Sequence, residues 1–289
     1  MRIVSLLPSA TEILFAIGAG DEVVGVTHEC DYPPPARQLP RLTAAAGPVL
    51  ESSAEIDRHV RQSVHAGSSL YLLDAALLQR LAPDLIVTQE LCAVCAVSYD
   101  IVAGAAKRLR SDPRVVSLEP TSLTDVLSTI SFLGEFTGHA AQAAALLENL
   151  TARVSAIRPP ARRRTTLVLE WTDPPMSAGH WIPELVEIAG GITVLANPSA
   201  NSRRLEWSAI ADADPEAIIV SPCGFDLDRT RAEVAALDQL PTWRALAARK
   251  RGMVLAMDGN AYLSRPGPRL VDAAEIMVQW YTTVAEHAG

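Results

Sequence analysis

Short runs of aliphatic and β-branched residues alternate with helix-like segments along the whole chain, and this alternation restricts the possible folds more than any other feature. It is typical of βα units, in which helices cover a mostly parallel sheet. The candidate strands are residues 3–7, 23–26, 85–88, 115–118, 166–170, 193–195, 218–221 and 254–257. Four of them lie in each half of the chain, so the sequence predicts two similar α/β lobes.

One long helix is predicted between the two halves. Residues 139–157 are rich in strong helix formers, and Pro159-Pro160 stops them. At 1.5 Å per residue this segment would span about 28 Å, close to the width of a small domain. The predicted organisation is an N-terminal lobe over 1–137, a connecting helix over 138–160 and a C-terminal lobe over 161–289.

A first helix is predicted to open with a capping box of Ser9 and Glu12 and to close at Gly18.

Composition excludes several classes of partner. A formal net charge of -8 and a pI of about 5.3 disfavour nucleic acid and anionic membrane surfaces, and 49% hydrophobic residues favour a compact core. No apolar run approaches the roughly 18 residues that would span a bilayer, so no membrane insertion is expected. No basic and apolar leader is visible. We therefore expect a cytoplasmic protein if Met1 is native, and a periplasmic or cell-surface protein if a leader was removed.

Polar, aromatic and thiol side chains follow the predicted strands. In open parallel sheets ligands bind beyond the carboxyl ends of the strands, so a small-molecule ligand in a cleft between the lobes is the leading hypothesis. The residues that stand at these strand ends are His28, Glu29, Cys30, Gln89, Glu90, Cys92, Cys95, Glu170, Trp171, His180, Trp181, Cys223, Asp258 and Tyr262.

The four cysteines leave a second hypothesis open. Cys92 and Cys95 have the C-x-x-C spacing of zinc, iron–sulfur and dithiol sites, and Cys30 and Cys223 could join them only through the fold. The alternative function is thus a metal- or thiol-dependent enzyme, with His28 or Glu90 as acid or base. A pure interaction scaffold is a third alternative. The common nucleotide-binding, serine-hydrolase and zinc-protease motifs are absent from the sequence.

The N-terminal segment RIVSLLPSATEILFAIGAGDEVVGVTHECDYPP resembles the start of cobalamin-binding and iron-siderophore-binding proteins of ABC importers. Similar segments occur at 83–87, 190–197, 215–220 and 265–269, so the resemblance covers nearly the whole chain. The LCAVCAV segment at 91–97 is a departure from the common pattern of this family.

The resemblance implies two α/β lobes joined by a single long helix, with a ligand in the cleft and little closure on binding. The ligand would be a corrinoid such as cobalamin, another tetrapyrrole or a metal chelate, and no cofactor would be required. The predicted ligand-binding residues are Pro8, Ser9, Ala10, Thr11, His28, Cys30, Tyr32, Gln89, Glu90, Cys92, Trp171, His180, Trp181, Trp207, Cys223 and Tyr262. Trp171, Trp181 and Trp207 would pack on a flat macrocycle.

The resemblance also implies a membrane partner. Importer-linked members present one acidic residue on each lobe to an ABC permease, and Asp74 and Glu206 stand near the expected places. Either residue could instead cap a helix. Carriage of the ligand inside the cell is the alternative to import.

Overall fold

The structure is a computed structural model that describes residues 1–66, 69–89 and 99–287. Its strands are β1 (Ile3–Ser5), β2 (Val23–Val26), β3 (Thr43–Ala45), β4 (Tyr71–Leu73), β5 (Leu85–Thr88), β6 (Arg114–Ser117), β7 (Arg164–Thr172), β8 (Pro175–Ser177), β9 (Gly191–Thr193), β10 (Arg203–Arg204), β11 (Ala217–Val220) and β12 (Val254–Ala256). Its α-helices are α1 (Pro8–Ala16), α2 (Ser53–His65), α3 (Ala75–Leu81), α4 (Tyr99–Ala106), α5 (Leu123–Thr137), α6 (Ala140–Ala156), α7 (Ile182–Ala189), α8 (Trp207–Ala213), α9 (Leu227–Leu237), α10 (Pro241–Ala245), α11 (Ala247–Lys250) and α12 (Leu270–His287). Shorter helical turns cover Gly20–Glu22, Pro34–Gln38 and Gly259–Leu263.

The chain forms two compact α/β units. Unit 1 comprises Met1–Leu50, Arg58–Pro120 and Leu127–Glu148. Unit 2 comprises Glu51–Asp57, Thr121–Val126 and Asn149–Gly289. In the sequence, the two short segments of unit 2 lie between segments of unit 1. The chain therefore passes from one unit to the other more often than a single connecting helix would require.

Unit 1 contains a four-stranded parallel sheet in the order β2-β1-β5-β6. The two inner strands, β1 and β5, are fully buried, which explains their continuous aliphatic sequences. Val4, Leu42, Leu78, Ile86 and Val102 form one core cluster of this unit. A separate antiparallel ladder joins β3 to β4. All four strands predicted in this half are confirmed, with shifts of one or two residues at their ends.

Unit 2 contains a larger mixed sheet in the order β10-β8-β7-β11-β12, and β9 pairs with the first part of β7. β7 pairs in parallel with β11 and antiparallel with β8. Every residue of β11 is fully buried, and burial of each large aliphatic side chain stabilises the fold by about 1.5–3 kcal/mol. The sequence did not predict β8 and β10, because strands of two or three residues carry little hydrophobic periodicity.

Two local predictions are corrected by the structure. The strand predicted at 193–195 lies at Gly191–Thr193, because Leu195 has a φ of 59° and cannot continue an extended strand. The predicted capping box is wrong: α1 begins at Pro8, and its N-cap Leu7 makes no side-chain hydrogen bond. Proline is favoured at the first helical position, where its missing N–H costs nothing. Gly18, with a φ of 85°, closes the helix as predicted.

The helix predicted at 139–157 is observed as α6. Its residues 140–148 are part of unit 1 and its residues 149–156 are part of unit 2. The lobe boundaries proposed from the sequence remain predictions. Within the described part of the chain, no helix is long and apolar enough to cross a membrane.

Candidate functional site

In unit 1 the ends of β2, β1 and β5 lie side by side at one edge of the sheet. β1 leads directly into the first turn of α1, where the predicted ligand residues Pro8, Ser9, Ala10 and Thr11 are all buried. Ser9 retains 2% of its surface, and Ala10 and Thr11 retain none. These residues pack the start of α1 against the sheet.

A small buried polar cluster lies beneath that helix start. The Thr11 hydroxyl lies 2.8 Å from that of Ser5 and 3.1 Å from the Cys30 thiol. Cys30 is 1% exposed, and its Sγ is 3.9 Å from the Thr27 hydroxyl. Free cysteine commonly serves as a small buried residue of this kind. In unit 1, therefore, Cys30 has hydroxyl neighbours that account for its position without a metal.

His28 lies in the turn after β2 and is held by Thr43. The His28 backbone N–H donates to the Thr43 hydroxyl oxygen at 3.1 Å, and Nδ1 lies 2.7 Å from the same oxygen. Burial, and after it the positive charge of Arg41, lowers the pKa of His28 below its usual value. Both effects favour the neutral form of the imidazole. Sequence reasoning selected His28 but missed Thr43, whose β3 strand is too short to carry a clear pattern.

The other predicted residues of unit 1 differ in exposure. Tyr32 is 44% exposed and precedes a cis peptide bond to Pro33. Gln89 is 7% exposed and directly follows β5. The hydroxyl of Thr88, at the end of the same strand, is buried and has no hydrogen-bond partner among the described residues. Glu90, Cys92 and Cys95 lie outside the described residues, so the C-x-x-C prediction stays a prediction.

In unit 2 the end of β7 carries Trp171, whose indole N–H donates to the Ser53 carbonyl at 3.2 Å. Its ring meets that of Phe225 edge-on, with centroids 5.3 Å apart. Thr172 donates to the Glu233 carboxylate and, at 2.9 Å, to the Ser53 hydroxyl. Trp171 remains half-buried, so part of its side chain is accessible.

Glu233 also binds the first turn of α2. Its two carboxylate oxygens accept the Ser53 backbone N–H at 3.2 Å and the Ser53 hydroxyl at 2.8 Å. Arg204 pairs with Asp57 at 3.1 Å, and Arg229 donates to the Glu51 carbonyl at 2.9 Å. Together with Trp171 and Thr172, these three side chains hold Glu51–Asp57 within unit 2. No sequence signal could have linked residues that are up to 180 positions apart.

The two other predicted tryptophans of unit 2 differ from Trp171. Trp181 is 7% exposed, belongs to the hydrophobic core, and donates its indole N–H to the Leu263 carbonyl at 2.9 Å. Trp207 is the first residue of α8 and is half-buried. Its ring packs edge-on against the fully buried Trp243, with centroids 6.2 Å apart. Trp207 thus has more accessible surface than Trp181.

Around the end of β7 lie further predicted residues. His180 has a φ of 54°, and its Nε2 is 3.1 Å from the Asn201 amide oxygen. Cys223 is half-buried, and its backbone N–H donates to the Glu170 carbonyl at 3.1 Å. Burial raises the pKa of the Glu170 carboxyl, and hydrogen bonds from the Ser202 hydroxyl at 2.8 and 2.9 Å oppose that rise.

The end of β12 adds an arginine that sequence reasoning did not place at the site. Arg265 is 5% exposed and donates to the Asn260 amide oxygen at 2.8 Å. Tyr262, a predicted ligand residue, lies in the Gly259–Leu263 turn with the Arg269 guanidinium 5.8 Å from its ring centroid. Both arginines belong to the Arg265–Arg269 segment, which carried part of the family resemblance. That resemblance is the sequence signal that could have pointed to them.

The two acids predicted to face a permease occupy helix starts. Asp74 is the N-cap of α3, and its carboxylate accepts the Leu77 backbone N–H at 2.8 Å. Glu206 stands at the N-cap of α8 without a side-chain capping bond. The capping alternative is therefore observed for Asp74.

The metal-site prediction finds no complete ligand set in the described part of the chain. Among these residues no group of three or more His, Cys, Asp or Glu side chains is arranged to hold a metal ion. Cys30 belongs to unit 1 and Cys223 to unit 2.

Residues 3–261 match the periplasmic binding protein family, and the chain belongs to this family. It is a substrate-binding protein. A Vitamin B12-binding protein of Vibrio cholerae is 22% identical over 298 residues, which cover 99% of this chain and 90% of that protein. A cobalamin-binding protein of Halobacterium salinarum is 26% identical over 280 residues, covering 94% and 66%. An ABC transporter substrate-binding lipoprotein of Bacillus subtilis is 23% identical over 96% of this chain and 79% of its own length.

Solved structures share the fold. The periplasmic heme-binding protein HutB of Vibrio cholerae aligns with a TM-score of 0.73 at 20% identity, covering 97% of this chain and 99% of that one. The periplasmic vitamin B12-binding protein of the same organism aligns with a TM-score of 0.62 at 20% identity, covering 98% and 97%. The predicted two-lobed α/β fold class and the family resemblance are confirmed. Because the family and the relatives are binding proteins, the thiol-dependent enzyme has no support in these comparisons.

Proposed function

We propose that the protein binds a corrinoid or another metal chelate of the tetrapyrrole type. The observation that carries the proposal is the match, over 94–99% of this chain, to relatives named for vitamin B12 or cobalamin. The residues at the strand ends of each unit support it, since aromatic and neutral polar side chains suit a large, flat and partly apolar ligand.

The direct test is ligand binding by the purified full chain. Cyanocobalamin, ferric haem and a ferric hydroxamate siderophore would each be titrated, with absorption spectra and calorimetry as readouts. We expect saturable one-to-one binding of at least one of them. Bovine serum albumin would serve as a control for nonspecific adsorption of haem. Absence of binding by all three would refute the proposal.

Tryptophan substitutions test which aromatic rings face the ligand. Trp207→Ala should weaken binding, because this ring is half-buried and keeps exposed surface. Trp243→Phe is the matched control, since Trp243 packs against Trp207 but is fully buried. Equal losses of affinity in the two variants, with equal stability, would show that Trp207 acts only through the core.

Delivery to an ABC permease is the proposed biological role, with carriage inside the cell as the alternative. Asp74→Asn removes a charge but keeps a residue that caps helices well, so α3 should remain intact. Combined with Glu206→Gln, it should weaken association with a cognate permease and leave ligand affinity unchanged. Cell fractionation decides between import and carriage, because an import role requires the protein outside the cytoplasmic membrane.

A further inference from the structure

The two nitrogens of the His28 imidazole differ in their hydrogen bonding to the described residues. Nδ1 lies 2.7 Å from the Thr43 hydroxyl oxygen, which also accepts the His28 backbone N–H at 3.1 Å. Among the described residues Nε2 makes no hydrogen bond, and the Glu29 carboxylate oxygen lies 4.0 Å away, beyond hydrogen-bond distance. The ring is therefore held through Nδ1, and Nε2 has no hydrogen bond to the described residues.

The Thr43 oxygen suits the tautomer in which Nδ1 carries the proton. A hydroxyl oxygen has two lone pairs, so it can accept the backbone N–H and the Nδ1 proton together. Nε2 then presents a lone pair. Histidines that bind metals commonly donate their second ring N–H to an oxygen acceptor, which fixes both the tautomer and the ring orientation.

Neighbouring side chains keep the imidazole in place. The Tyr71 ring lies against it, with centroids 5.7 Å apart. The His28 side chain still keeps 26% of its surface. An oriented and partly exposed imidazole, whose Nε2 makes no hydrogen bond to the described residues, therefore stands at the carboxyl end of β2.

We propose that Nε2 of His28 coordinates the metal of the bound chelate from unit 1. This inference rests on the proposed function and narrows it to one class of ligand. The chelate must offer an open axial position, as ferric haem does and as a corrinoid does when it lacks its own coordinated base. A ferric siderophore whose six positions are filled by its own oxygens does not qualify.

The test compares the full chain with two variants and uses ferric haem, aquocobinamide and cyanocobalamin as probes. With the wild type, ferric haem or aquocobinamide should change from a water-ligated to an imidazole-ligated absorption spectrum. His28→Ala should lose that spectrum and bind at least about tenfold more weakly, a loss typical of altered metal ligation. Added free imidazole should restore the spectrum. His65→Ala, at an exposed position in the last turn of α2, is the matched histidine control.

Thr43→Val tests the positioning of the ring. This variant keeps Nε2 but removes the oxygen that orients it, so it should keep the imidazole spectrum with affinity reduced by about tenfold. His28→Gln replaces the alanine variant if circular dichroism shows that the latter is misfolded.

The outcomes separate the two proposals. A wild type that binds an open-faced chelate with a spectrum unchanged by His28→Ala overturns the coordination and leaves the proposed function standing. Equal affinity for cyanocobalamin and aquocobinamide also overturns it, because the former has no vacant position for Nε2. A wild type that binds none of the chelates refutes the proposed function, and the coordination with it.

Discussion

Replacing Tyr281 with phenylalanine should lower stability at neutral pH and raise it at high pH. Tyr281 is 1% exposed, and its hydroxyl lies 2.7 Å from that of Thr166. Thr166 itself donates to the Arg164 carbonyl at 3.0 Å, so the Tyr281 hydroxyl is the donor of the pair. Loss of the Tyr281 hydroxyl removes one buried hydrogen bond, while the Thr166 hydroxyl keeps the Arg164 carbonyl as its partner. The free energy of unfolding should therefore fall by about 1 kcal/mol at pH 7.

The sign reverses because burial raises the pKa of Tyr281 to about 12 from an ordinary value near 10. Between these two values the unfolded chain has released the phenolic proton and the folded chain still holds it. The free energy of unfolding therefore falls by about 1.4 kcal/mol per pH unit, or about 2.7 kcal/mol in all. Phenylalanine has no proton to release. The two stabilities should cross near pH ~11, above which the variant is more stable.

Urea unfolding followed by circular dichroism at pH 7, 9, 10 and 11 measures the difference directly. Every other ionisable group is common to both proteins, so its contribution cancels in the comparison. A difference that stays constant from pH 7 to pH 11 would show that the Tyr281 hydroxyl titrates normally. That result would refute the reasoning from burial.

Two further perturbations have clear controls in urea unfolding. Glu233→Ala should cost about 1–3 kcal/mol, because it removes the acceptor of the Ser53 hydroxyl and backbone N–H and one of the two acceptors near the Thr172 hydroxyl. Asp228→Ala, at a highly exposed position on the same helix, should cost almost nothing. Gly191→Ala should destabilise the fold by about 1–3 kcal/mol, because its Cβ would stand 2.5 Å from a side-chain carbon of Val186. Gly104→Ala, where nothing lies within 4 Å, should instead stabilise α4 by up to about 1 kcal/mol, and equal effects at the two glycines would contradict the packing argument.

Most of the central strands were predictable because each is a buried aliphatic run bounded by turn residues. β5 and β11 follow Pro83 and Pro215 and contain almost nothing but large apolar side chains. The helix over 139–157 was predictable for a similar reason, since helix formers continue until a pair of prolines. Periodicity over several residues identified these elements.

The site was less accessible to such reasoning. His28 could be selected by its place after a strand, but its orientation depends on Thr43, which is 15 positions away in a three-residue strand. Trp181 and Trp207 look alike in sequence, yet only the packing of the core shows that the first is buried and the second is not. Side-chain exposure and hydrogen-bond partners depend on tertiary contacts that no local pattern records.

The anchoring of Glu51–Asp57 affects how the protein can be synthesised and divided. Ser53 leaves the ribosome long before Glu233, its main partner, so this part of unit 2 stays without its carboxylate acceptor until most of the chain has been made. A fragment that starts at Asn149 would contain the long sheet but lack the Ser53 groups that Trp171, Thr172 and Glu233 bind. Unit 2 is therefore assembled from three separate segments of the chain, and expression of Asn149–Gly289 alone should yield an incomplete domain.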